Sequence, residues 1–140
     1  MDITEIYVKM SDCEEIQKNW APRTGDFIIL HGTDDVGILN LPKDPLEGSL
    51  ILYYDLSYEH HHIWLPRQDQ LQEMVGGFNL LGFWQKFFVS SDYVVETEVG
   101  YELPKWAHHC DSWEQLWLSF VMKEKFNKIW SNGESWILLE

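Results

Sequence analysis

The chain reads as an α+β protein: a small, mainly antiparallel sheet packed with three or four helices in a single compact domain, residues 1–140. Three stretches predict this. Trp113, Leu116, Trp117, Phe120 and Val121 recur at the spacing of one helix face. Phe27–His31 and Ser49–Leu56 are short, β-rich apolar runs bounded by turn formers. Lys128–Leu138 carries Asn132-Gly133, the strongest two-residue hairpin signal.

Residues 2–20 predict a short helix, or a strand leading into one, around Ile16. Asp12 would be its N-cap, Cys13 a small packing residue and Trp20-Ala21-Pro22 its end, because proline pushes the residue before it out of the helical region. After the Arg23-Thr24-Gly25-Asp26 turn comes the Phe27–His31 strand, with Val36–Leu39 returning beside it as a hairpin. Pro42–Gly48 is a loop of turn formers, and Ser49–Leu56 a further strand whose end or hairpin tip is Tyr58–His62. Ile63-Trp64-Leu65 runs extended into Pro66, which suits the first turn of a helix. That helix buries Leu71, Met74 and Val75 and stops at Gly76-Gly77. Phe78–Val89 predicts a second helix, apolar round most of its circumference. Val94–Tyr101 is an exposed strand or an irregular connection. In the 112–126 helix, Ser112 and Gln115 form a capping-box pattern. Asp111 and Glu114 suit the positive end of its dipole, and Lys123, Lys125 and Lys128 the negative end.

Composition narrows the functional classes. The 140 residues carry 23 acids and 10 bases, a formal net charge of −13. Attraction to nucleic-acid phosphate or anionic lipid is therefore not expected; the acidity is a solubility device or an imitation of polyanionic nucleic acid. The eight tryptophans belong mainly to the core, with one or two free to anchor a partner. Cys13 and Cys110 are too few for a disulfide framework. Met1–Glu5 lacks the basic and apolar regions of a signal peptide, and no apolar run spans a bilayer, so a cytosolic location is expected.

Two blocks carry a resemblance. They are Ile63–Met74, with Trp64-Leu65-Pro66-Arg67-Gln68-Asp69-Gln70, and the core helix continuing through Lys125–Trp136. With Tyr7–Met10 and Glu14–Gln17, they cover about half the chain and keep their order. The chain resembles a group of small proteins encoded by phages and prophages of Gram-positive bacteria. Residues 32–60 and 90–107 fall outside the likeness. The resemblance implies a phage gene product acting in the bacterial host cytoplasm and carries over no catalytic residue.

Candidate chemistry is sparse. His60-His61-His62 and His108-His109-Cys110 would supply imidazole and thiolate ligands to a divalent metal, with Asp55, Glu59 or Asp111 in reserve. No structural zinc spacing is present, however, and adjacent strand residues face opposite ways. Cys110 beside His109 lacks an orienting acid. Val75-Gly76-Gly77-Phe78 is no phosphate loop, and there is no basic stripe for nucleic acid. Trp64, Arg67 and Gln68 would form a recognition patch, since Trp and Arg dominate binding hot spots; alternatively they are an ordinary strand-to-helix corner with Trp64 packed inward. The acidic pairs Asp34-Asp35 and Glu14-Glu15 sit in a turn and on a helix face.

The expectation is a non-enzymatic, acidic binding protein without cofactor or bound metal. It would engage a bacterial protein through Trp64, Arg67, Gln68, Asp34, Asp35, Glu14 and Glu15 and occupy a basic, nucleic-acid-binding surface, as an inhibitor of a defence system would. The rival is a metal-binding module or metal-dependent enzyme built on the histidine clusters. A third option is a self-associating accessory.

Overall fold

The computed structural model describes residues 1–30, 35–41, 62–76, 82, 95–97, 100–102, 109–131 and 133–139. Among them are four helices and seven short strands, every strand pairing antiparallel, so the class is α+β. The sequence reads as one domain; the chain gathers into two compact units, Met1 with Ile3–Arg67 and Asp2 with Gln68–Glu140.

The first unit begins with α1 (Glu5–Ser11), where the Thr4 hydroxyl accepts from the Tyr7 N–H. A four-residue helix, α2 (Glu14–Gln17), follows. Asp12 does not cap it, contrary to expectation: it closes α1, donating its N–H to Val8, and Cys13 takes the N-cap position with no side-chain capping bond. The chain breaks between the two helices at Asp12, whose ψ of 65° is not helical.

Strands β1 (Phe27–Ile29), β2 (Val36–Ile38) and β3 (Ile63–Leu65) form one sheet in the order β2-β1-β3, so the expected hairpin exists and β1 is central. Directly opposed residues share a face. Ile28, Gly37 and Trp64 therefore lie on one side, where Ile28 joins Leu39, Trp20 and Leu41 in a core cluster. The other face carries Leu65, fully buried, and α1 packs against its strand. The Tyr7 hydroxyl, also fully buried, donates to the Pro66 carbonyl at 2.5 Å. The expected strand Ser49–Leu56 lies outside the described residues, as does all of Phe78–Val89 except Gly82.

In the second unit α3 (Gln68–Met74) packs on α4 (Trp113–Phe126). Leu71 is buried as expected, but Gln70 is buried with it, while Met74 and Val75 are only half-buried. Val95–Thr97 (β4) and Gly100–Glu102 (β5) form a hairpin where an exposed strand or irregular connection was expected. β6 (Lys128–Ser131) and β7 (Ser135–Leu138) form the hairpin announced by Asn-Gly, with Gly133 at φ +75°, a conformation glycine adopts without steric cost.

The start of α4 is built as a polar knot. The Ser112 hydroxyl accepts from the Gln115 N–H at 3.1 Å, while the Gln115 Oε1 accepts from the Asp111 N–H at 2.9 Å, one residue earlier than a strict capping box places it. Asp2 completes it. Its carboxylate, 7% exposed, accepts from the Ser112 hydroxyl at 2.5 Å and the Gln115 Nε2 at 2.7 Å. An anion is favoured at this helix end by the dipole as well. At the other end Asn127 adopts the left-handed conformation at φ 53° and returns its N–H to Lys123.

α4 corrects one expectation. Trp117, Phe120 and Val121 are buried, but Trp113 is 55% exposed and Leu116 half-buried, whereas Leu118, Ser119 and Met122 are buried. The helix is enclosed on all sides through its middle rather than on one stripe. Trp113, at its first position, lies one turn beyond Trp117 and outside that enclosure. Trp117→Ala, which removes a ring in edge-to-face contact with Phe120, is expected to destabilise by about 3–5 kcal/mol. Trp113→Ala should stay within about 0.5 kcal/mol of wild type, as exposed positions do. Urea midpoints of the two variants check the assignment.

Candidate functional site

The Trp64–Arg67 segment leaves the sheet at the end of β3, and its neighbours explain where each side chain goes. Trp64 opposes Ile28 across β1 and β3, which turns its indole onto the core face. There it stacks on Trp20, with centroids 6.1 Å apart and planes 7° from parallel, and is 4% exposed. Its Nε1–H is buried without an acceptor. The main chain of Trp64 points away from β1, and the Gln17 side chain meets it there. Gln17 Oε1 accepts from the Trp64 N–H at 3.0 Å, and Nε2 donates to the Trp64 carbonyl at 3.0 Å and to the Ser11 carbonyl at 2.8 Å. One amide thus occupies the place of a neighbouring strand.

Arg67 turns back to Asp26, whose carboxylate is fully buried. Asp26 Oδ2 accepts from the Trp20 Nε1–H and the Arg23 N–H, both at 2.8 Å. The Arg67 Nη1 donates to the Gly25 carbonyl at 3.0 Å and lies 3.4 Å from Asp26 Oδ1. The Arg67 side chain is 32% exposed. A buried carboxylate stays tolerable only when donors surround it; here two come from the stretch just before Asp26 and the third from the end of β3.

Of the residues expected to meet a partner, Trp64 is therefore committed to packing and offers no exposed anchor, and Arg67 is engaged with Asp26. Gln68, half-buried, opens α3 in the second unit. Glu14 is exposed and paired with Lys18 one helical turn away; Glu15 is half-buried. Asp35 is exposed at the start of β2, its carbonyl accepting from the Leu30 N–H. Asp34 lies outside the described residues.

The histidine clusters fall mostly outside as well: His60, His61 and His108 are not described, His62 is half-buried and His109 exposed. Among the described residues no three His, Cys, Asp or Glu side chains come together as metal ligands. Burial pushes the Cys110 thiol above its ordinary value, with Asp111 adding to the effect and a 3.5 Å contact with the Ser119 hydroxyl opposing it. A thiol so placed is no activated nucleophile at neutral pH. Among the described residues no helix is long and apolar enough to cross a membrane.

Sequence reasoning overlooked Asp26, Trp20 and Gln17. Asp26 reads as turn chemistry and Gln17 as one polar helix residue among several. Asp26 and Gln17 each draw a partner from far along the chain, Arg67 41 and Trp64 47 positions away. Comparison with known protein families, curated proteins and solved structures finds no match to the chain.

Arg67→Ala leaves the buried Asp26 carboxylate without its cation and should cost about 3 kcal/mol, the lower end for a broken buried pair because Trp20 and Arg23 still donate. A denaturant titration showing no change would return Arg67 to the surface. Cys110 gives a pH signature. With its folded value raised, the group's contribution is fully present below the unfolded value and is lost as pH rises through the folded one. The stability difference between wild type and Cys110→Ala should therefore shrink from about pH 7 to about pH 10, read from urea midpoints at each pH.

Proposed function

We propose that the protein is a phage-encoded, acidic binding protein that occupies the basic, nucleic-acid-binding surface of a bacterial host protein and so blunts a defence system. The observation that carries this reading is the excess of acids over bases, a net −13. Exposed carboxylates accompany it in each unit: Glu5, Asp12, Glu14 and Asp35 in the first, Asp69, Glu73, Asp111 and Glu134 in the second. With Trp64 inside and Arg67 paired, an aromatic–arginine hot spot at that corner has lost its support, and charge is the remaining basis for recognition. Glu5 and Glu14 are each bound to a lysine on their own helix, which offsets part of their charge.

Surface carboxylates act on a cationic partner mainly by steering the encounter. Association should be fast at low ionic strength and slow steeply with salt, because exposed charges are screened beyond about 8 Å under physiological conditions. The test is capture from host cells, identification of the partner, and displacement of nucleic acid from it by the purified protein. Glu14→Lys with Glu15→Lys, and Asp34→Lys with Asp35→Lys, should each slow association about tenfold while leaving the fold intact. An affinity insensitive to salt and to both reversals would overturn the reading.

A further inference from the structure

The two edges of the three-stranded sheet are finished differently. Main-chain bonds Leu30 N–H to Asp35 and Leu39 N–H to Asp26 set the phase of the β1–β2 ladder. In that phase Gly37 faces β1, and the N–H and C=O groups of Val36 and Ile38 point outward. On the far side, the outward groups of Trp64 are both taken by Gln17. Among the described residues nothing plays that part for Val36 or Ile38. Their side chains share one face of the strand and are 37% and 64% exposed, and the exposed Asp35 precedes them.

We infer that the β2 edge is a docking strand for an extended, cationic segment of a partner protein, which adds to the sheet as a fourth strand beside Val36–Ile38. Outward N–H and C=O groups alternating along an edge demand an extended chain. The exposed Val36 and Ile38 select apolar side chains at alternate positions of the incoming strand. The net charge of −13 and Asp35 select lysine or arginine at the others. This inference rests on the acidic-binding reading above and gives it a conformation and a place.

The test uses the full-length protein and a fluorescent peptide alternating lysine and valine, beside the same peptide N-methylated along its backbone. The two share charge and side chains, and only the first donates main-chain hydrogen bonds. The unmethylated peptide should bind at least about tenfold more tightly, and Ile38→Pro, which removes an outward N–H and spares the bonds to β1, should abolish that difference. Amide exchange at Val36 and Ile38 should slow on binding. Equal affinity for both peptides would overturn strand addition and leave the acidic-binding reading standing. Failure of both to bind would remove both. A concentration-dependent dimer lost in Ile38→Pro would reassign the edge to a second copy of the chain and overturn the inference as well.

Discussion

A carboxylate taken fully out of water must be met by donors, and the first unit is arranged around meeting this demand at Asp26. The Trp20 indole and the Arg23 main chain approach it from the stretch just before it, and the Arg67 guanidinium from 41 residues further along. Each donor is also engaged elsewhere. Trp20 stacks on Trp64, Arg23 belongs to the turn that opens β1, and Arg67 holds the Gly25 carbonyl. Moving the carboxylate would disturb the turn, the stack and the end of β3 together. Such a site contributes less to stability than to fixing one arrangement, since apolar replacements of buried pairs are often equally stable.

The second unit uses an acid in a similar way. Asp2 takes two hydrogen bonds at the start of α4, and Gln115 binds back to the main chain of Asp111. Two of the chain's acids are thereby withdrawn from the surface and serve as structural acceptors. The formal charge overstates what a partner meets: Asp2 and Asp26 are buried, and Glu5 and Glu14 are locally neutralised by Lys9 and Lys18.

What was legible in the sequence was local. The cap at Ser112, the glycine at position 133 and the apolar run of β1 each specify structure within a few residues, and each element formed where expected. Trp113 was misplaced because a 3.6-residue period says which side of a helix a residue occupies, not how far along the helix its cover extends. Asp26, Gln17 and Asp2 were illegible for a different reason. A polar residue drawn into the interior is recognised by its partners, and each of these three has at least one that lies 41 to 113 residues away in sequence. At the expected recognition patch, the Trp64 main chain and the Arg67 guanidinium are engaged inside the unit by Gln17, Gly25 and Asp26, which the local pattern does not announce.

Gln17 carries a consequence for stoichiometry. A sheet open at both edges can grow indefinitely, each added strand presenting a fresh template to the next chain; this is the geometry of fibres. A primary amide is one of the few side-chain groups that offers a donor and an acceptor side by side, as a peptide unit does. Glutamate would lack the donor, and asparagine would fall a methylene short. With the Trp64 main chain occupied in this manner, a strand added at β2 would find no matching open position at Trp64 on the far side of the described sheet, and growth through both edges would lack its second template.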